Sequence, residues 1–222
     1  MRNKNFLSLI PLLVVNLACG ETPFALIKQF IPDNPVILEA GARFGEDTIK
    51  MSEQWPQGLI YAFEPLPSSA AQLKLTIRGK SNIVFFELAL SDKSGVAQFY
   101  VDEPNPGASS LHTPIAYFEE YKQETITINC ITIAEWATQQ KVDHIDFMWL
   151  DMEGHELKAL NTMPNGLLDS VKAIFIEAND IPRWSDIPSR NEVITWMQTH
   201  GFTPIFEEKF PIQSNILFVR AH

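Results

Sequence analysis

The sequence predicts an α/β domain built on a doubly wound, mostly parallel sheet. Three observations carry this. From Glu21 onward, short apolar runs alternate with helical patterns, the signature of βαβ units. The chain has 222 residues, 45% of them apolar and 20% charged, which suits one domain with a full core. The last two apolar runs, at 203–207 and 215–219, have no helical pattern between them and therefore close the sheet as an antiparallel pair.

The elements follow in order. Residues 24–31 read as a short helix closed by Pro32 and Pro35. Residues 36–39 form a first strand, which ends in a glycine-rich turn from Ala40 to Gly45. The helix over 46–55 opens with Glu46 and Asp47, where the helix dipole favours acids. Residues 59–63 are a second strand, followed by Glu64-Pro65 and a helix over 68–78. Residues 83–88 are a third strand and 96–101 a further extended segment. Residues 102–124, with Pro104, Pro106, Gly107, Ser109 and Ser110, form a long irregular connection of the kind that is often functional. Strand returns at 125–131 and helix at 134–141. A strand over 145–150 runs into Asp151-Met-Glu-Gly-His-Glu156 and another helix. A strand over 171–177 and a helix over 190–199, stopped by Gly201, precede the closing pair.

Residues 1–20 stand apart from this domain, which spans 21–222. Arg2 and Lys4 precede an apolar stretch over 6–15, and small residues follow at Ala18-Cys-Gly20. A basic start, a short apolar core and a small-residue end make the segment signal-like. Its end also resembles a lipoprotein cleavage site. It falls short of the ~20 apolar residues of a membrane-spanning helix. If it is retained, the protein is cytoplasmic or attached to a membrane through residues 1–20; if cleaved, it is exported or lipoprotein-like. A net charge of −10, from 27 acidic and 17 basic residues, disfavours a nucleic-acid partner, because phosphate binding depends on Lys and Arg. Cys19 and Cys130 form neither a disulfide framework nor a metal-ligand pair. Cys130 lies in an apolar run and reads as a core residue.

Doubly wound sheets bind ligands at the carboxyl ends of their strands, so the residues just after each strand are the informative ones. Glu39-Ala-Gly41-Ala42-Arg-Phe-Gly45 follows the first strand. Its glycines permit a tight turn and close backbone approach, and the next helix aims its amides at that turn. Glu64 ends the second strand, where an acid accepts hydrogen bonds from ribose hydroxyls. That acid serves S-adenosylmethionine and NAD alike. An NAD-dependent oxidoreductase lacks support here, because the third fingerprint glycine and a Tyr-x-x-x-Lys set are both missing. Asp151, Glu153, His155 and Glu156 form the densest polar cluster. Asp151 also suits a helix cap, Glu153 a first-turn dipole partner and His155 a solvated face. Asp, Glu and His together could ligate a metal, but no metal site is assigned.

Residues 36–45, Tyr61-Ala-Phe-Glu-Pro65, Glu87-Leu-Ala-Leu-Ser-Asp92, Gly107-Ala-Ser-Ser110, residues 145–156 and Ile174-Phe-Ile-Glu177 resemble, in order, successive blocks of the FkbM family of methyltransferases. The resemblance covers roughly residues 35–207. It implies a Rossmann-like, seven-stranded sheet, S-adenosylmethionine as cofactor and O-methylation of a hydroxyl on a small molecule or glycan. By analogy Glu39, Gly41, Ala42 and Gly45 surround the methionine part, Glu64 and Pro65 the ribose, and Ala89, Ser91 and Asp92 the adenine. Two positions depart from many relatives: Glu39 replaces Asp, and Trp149 replaces Lys. Methyl transfer to a hydroxyl needs positioning and removal of a proton. Asp151 or His155 is then the base, or Asp151 orients the acceptor, with Glu153 beside them. Glu177, Asn179 and Asp180 are placed to line the acceptor pocket. The loop with Ser109 and Ser110 is placed to cover the cofactor; Trp136, Trp184 and Trp196 read as packing residues, with Trp184 the best exception as a carbohydrate platform. A non-catalytic binding protein on the same scaffold is the rival that the signal-like segment suggests.

Overall fold

The computed structural model describes residues 23–115 and 123–221, so the signal-like segment lies outside the described residues. Seven strands form the main sheet in the order β3 (Ile83–Phe86), β2 (Leu59–Phe63), β1 (Val36–Ala40), β7 (Phe147–Leu150), β8 (Ala173–Asn179), β10 (Gln213–Arg220) and β9 (Phe202–Lys209). The first five are parallel, and β10 and β9 are antiparallel, as the pattern of runs predicts. The chain winds outward from β1 through β2 to β3, then returns to pair β7 on the other side of β1. This reversal leaves a crevice at the carboxyl ends of β1 and β7.

The strands are central because both their faces are covered. All seven residues of β8 are buried, and so are four of the five in β1. Such continuous apolar runs belong to parallel strands sandwiched between helices. Successive side chains alternate between the two faces. Leu38, Phe63, Met148, Ile174 and Phe218 pack on one face with Trp136 of α4 (Ile133–Gln140) and Met197 of α7 (Arg190–Thr199). Ile37, Ile60, Phe147, Phe175 and Leu217 pack on the other with Phe24 of α1 (Phe24–Ile27) and Met51 of α2 (Glu46–Gln54). At the opposite end from the crevice, the Asp146 carboxylate accepts the Val36 N–H at 2.9 Å and pairs with Lys172 at 2.6 Å. One buried acid thereby ties the starts of β1, β7 and β8. Among the described residues no helix is long and apolar enough to cross a membrane.

The sequence reading of 83–88 as one strand needs correction. The main-sheet strand ends at Phe86, and Ala89–Leu90 (β4) joins a separate three-stranded sheet with β6 (Gln123–Ile131) and β5 (Gly95–Asp102). There β5 and β6 form an antiparallel ribbon over eight paired positions, and β4 runs parallel to β6. The ribbon has its own core of Phe99, Val101, Ile128 and Cys130, and Leu66 and Ala89 join that core to the body of the domain. Cys130 is a core residue, as its apolar run implies.

Trp136 stands edge-on to both Tyr61 and Phe63, with ring centroids at 5.0 and 5.3 Å, and its indole nitrogen is buried without a partner. Its worth is therefore in shape and area. Trp136→Ala should lower stability by about 3–5 kcal/mol in denaturant unfolding. Trp136→Phe, which keeps a ring and removes the orphan N–H, should lose less than half as much; equal losses would show that the ring contacts do not matter.

Candidate active site

The crevice is a cavity of about 620 Å³, the part open to solvent included, at the carboxyl ends of β1, β2 and β7. Its floor is the turn after β1. Gly41 has φ +87°, and a Cβ there would stand 1.7 Å from the Asp151 carbonyl oxygen. The Asp151 N–H donates to the Ala40 carbonyl at 2.9 Å, so the two strand ends are clamped together. Only glycine can occupy this approach. Arg43, two residues on, has φ +50° in the left-handed region, where its N–H meets Glu64.

Glu64 is held by two backbone donors: Oε2 accepts from Arg43 at 2.8 Å and Oε1 from Leu66 at 2.8 Å. A carboxylate offers about four acceptor sites, so each oxygen keeps one for a pair of vicinal hydroxyls. Burial raises its pKa to about 7, against those two hydrogen bonds. Beneath the turn lies Glu39, 1% exposed, with Oε2 unpartnered and its pKa raised to about 8, chiefly by burial. Of the residues assigned to the cofactor, Gly41, Glu64, Pro65 and Ala89 line the cavity. Glu39, Ala42, Gly45, Ser91 and Asp92 do not. Glu39 supports the turn from below, Ala42 is packed with Ala62 and Leu73, and Gly45 starts α2 with φ +90°. Ser91 is buried behind the wall, and Asp92 is exposed.

The polar cluster after β7 divides. Asp151 and His155 reach the cavity wall with Met152, while Glu153 does not. The Asp151 surface is exposed toward the cavity, yet protein packed around the carboxyl raises its pKa. Glu177, at the end of β8, hydrogen-bonds the Asp151 side chain and is itself raised well above the usual range, by burial and then by the charge of Asp151. Asn179 and Gln213 donate to the two Glu177 oxygens at 3.2 and 3.0 Å. The pair therefore shares a proton, which rests on Glu177. Glu153 is buried, at φ +51°, and burial takes its pKa to about 8. Asp151, Glu153 and Glu177 each bring an oxygen within 4.8 Å of the others, a spacing suited to a divalent cation; His155 is not in that set. Glu156 accepts the Met152 and Gly154 N–H groups at 2.7 and 3.3 Å and so holds the turn.

His155 is buried rather than solvated. Its Nε2 lies 3.0 Å from Ser91 Oγ and its Nδ1 3.1 Å from His112 Nε2. Burial, then the charge repulsion of His112, lowers its pKa to about 3, and burial lowers that of His112 to about 4. Both rings are neutral at pH 7, and both His155 nitrogens lie within hydrogen-bond distance of protein groups. His112 is absent from the sequence reading because nothing local marks it. The platform reading of Trp184 is also corrected: the ring is 4% exposed and its Nε1 donates to Glu153 Oε2 at 3.3 Å.

The irregular connection does cover the cavity. Pro106, Gly107, Ser109 and Leu111 line it, with Ala108 closing a short 3₁₀ turn. Ser110 Oγ donates to the Glu153 carbonyl at 3.0 Å, and Ser185 N–H to the Thr113 carbonyl at 2.8 Å. Asp180 lies off the cavity, accepting from Ser214.

This geometry can be set beside known proteins. Residues 39–204 match the model of the Methyltransferase FkbM domain, which covers the turn, Glu64, the Asp151 cluster and Glu177. The chain belongs to this family. S-adenosylmethionine is accordingly its cofactor, and the dinucleotide reading falls. The 2-O-methyltransferase NoeI of Sinorhizobium fredii is 27% identical over 135 residues, covering 56% of this chain and 55% of that one. The hexuronic acid methyltransferase AglP of Haloferax volcanii is 26% identical over 153 residues, covering 68% and 59%. The alignments thus span little more than half the length of these relatives. Among solved structures, the N-terminal domain of EvdMO1 with S-adenosylhomocysteine bound has a TM-score of 0.51 at 12% identity, covering 91% of this chain and 82% of that one. A fibrillarin/Nop5p complex gives 0.53 at 13%, covering 86% and 75%. Both likenesses are of fold. The site itself fits the cofactor: Glu64 has free acceptor positions, and the Gly41 backbone lines the cavity beside Asp151.

The cavity's chemistry makes stability depend on pH in a definite direction. Buried Glu39 and Glu153 bind protons up to about pH 8, where the unfolded chain has released them near 4.5. Their stabilisation is present below 4.5 and lost as pH rises to about 8. His112 and His155 act oppositely, losing stability as pH falls below 6.5. Between pH 6.5 and 8 only the acids count, so the unfolding midpoint should fall across that window, and Glu39→Gln should flatten the fall. A midpoint that rises there would contradict protonated acids around the site.

Proposed function

We propose that this chain transfers a methyl group from S-adenosylmethionine to a hydroxyl of a glycan or small-molecule acceptor, with Asp151 as general base. The observation that carries the reading is Asp151 itself. It is the carboxylate that faces the cavity from the end of β7, and Glu177 hydrogen-bonds it from the next strand. The bound cofactor supplies the methyl group on a positively charged sulfur. Glu64 holds the two ribose hydroxyls through its free acceptor positions. The loop at 106–111 keeps water from the cavity, and Asp151 accepts the hydroxyl proton as the acceptor oxygen attacks. A carboxyl whose pKa is raised by its surroundings is a stronger base than one in water. Glu177, already protonated, keeps the vacant position on Asp151 rather than beside it. The names of two relatives, a 2-O-methyltransferase and a hexuronic acid methyltransferase, support a hydroxyl on a sugar-like acceptor.

The non-catalytic rival predicts binding without turnover, and two variants separate the readings. Glu64→Ala should abolish S-adenosylhomocysteine binding in calorimetry while the protein stays folded. Asp151→Asn should bind it normally and lose about 10²–10⁴-fold in the rate of methyl transfer. Full activity in the Asp151→Asn variant would move the base elsewhere.

A further inference from the structure

Arg43 is the one positively charged side chain among the described residues that line the cavity. It is exposed, its ring neighbour Phe44 lies 4.8 Å from its Cζ, and its guanidinium makes no hydrogen bond or ion pair with the described residues. Two acids stand near enough to feel its charge, yet both are held by others: Glu64 by backbone N–H groups, Asp151 by Glu177. Five donors on a fixed planar fork thus remain available on the cavity wall.

The backbone gives no reason for arginine here. At φ +50°, glycine or asparagine fits with less strain than a long side chain, and strained non-glycine residues cluster where function requires them. The opposite wall makes room for the fork. A Cβ on Gly107 would lie 2.9 Å from Arg43 Nε and 3.3 Å from Cζ, so a side chain at 107 would displace the guanidinium. The covering loop and the turn are therefore fitted to each other around this one cation.

We propose that Arg43 binds a carboxylate in the cavity, carried either by the methionine part of the methyl donor or by an acidic acceptor. The fork matches a carboxylate in a bidentate pair. A singly charged group also suits a wall that already bears Glu64 and Asp151, whereas a phosphate would meet more repulsion. The inference rests on the methyl-transfer reading and adds the ligand group that the site selects.

The test is calorimetry on the full chain, with Arg43→Asn, which tolerates the left-handed turn, and Arg43→Lys, which keeps the charge without the fork. If the donor supplies the carboxylate, Arg43→Asn weakens S-adenosylhomocysteine by about tenfold or more. It then leaves 5′-methylthioadenosine, which lacks the amino-acid part, unchanged, and Arg43→Lys restores part of the loss. If the acceptor supplies it, S-adenosylhomocysteine binding is unchanged. A uronic acid glycoside then binds the S-adenosylhomocysteine-saturated wild type and is lost in Arg43→Asn, while the neutral glycoside is indifferent to the substitution. Equal weakening of S-adenosylhomocysteine and 5′-methylthioadenosine would make Arg43 a prop for the turn and overturn the proposal, as would no change with any ligand. A wild-type protein that binds no S-adenosylhomocysteine would bring down the methyl-transfer reading as well.

Discussion

The space where a Gly41 side chain would stand is filled by the Asp151 carbonyl oxygen. Strands β1 and β7 can end at the same height only because that contact is backbone to backbone, sealed by the Asp151 N–H on the Ala40 carbonyl. The rest of the site follows. With the strand ends that close, the turn after β1 curls away, bringing the Arg43 N–H onto Glu64 and the Asp151 side chain to the cavity wall. A methyl group at position 41 would part the strands at the floor of the cavity. Positioning to within a fraction of an ångström is a large component of catalysis, so a rigid backbone contact is the right material for it.

Around that contact the protein concentrates acids: Glu39, Glu64, Asp151, Glu153, Glu156 and Glu177 all have raised pKa values with burial as the first cause. A buried unpaired carboxylate is far costlier than a buried carboxylic acid, so retained protons are the cheaper solution. Exposure and neighbouring charge then decide which group stays ionised. Glu177 receives two amide donors yet faces three neighbouring acids, and it keeps the proton. Asp151, open to the cavity, is left as the acceptor. The division of roles within the pair comes from exposure, not from residue type.

The fold was legible because periodicity is a local property. The seven main strands, the closing antiparallel pair among them, lie where the apolar runs place them, since buried parallel strands show as unbroken apolar segments. The small sheet was not legible, because the break after Phe86 is set by the pairing of Ala89 and Leu90 with residues some forty positions later. The site was legible where a residue directly follows a strand, as Gly41, Glu64 and Asp151 do, or stands near a strand's end, as Glu177 does. His112 and Arg43 were invisible as site residues for different reasons. His112 reaches His155 only through the folded covering loop. Arg43 sits inside the recognised turn, but its importance lies in having no partner, and the absence of a contact leaves no mark in a sequence.

The two histidines respond to burial in the opposite sense from the carboxyls. A ring becomes a useful base when its conjugate acid is stable near neutral pH. Here burial withdraws water from both rings, and protonating either one places a charge beside its partner 3.1 Å away. His155 Nδ1 faces His112 Nε2 at 3.1 Å and its Nε2 faces Ser91 Oγ at 3.0 Å, so both ring nitrogens are engaged within the protein. These contacts tie the covering loop to the segment after β4. The same burial that disables the imidazoles strengthens the carboxyls, because it raises acids while lowering bases. A single low-dielectric pocket thus shifts Asp151 and His155 in opposite directions, although both stand on its wall.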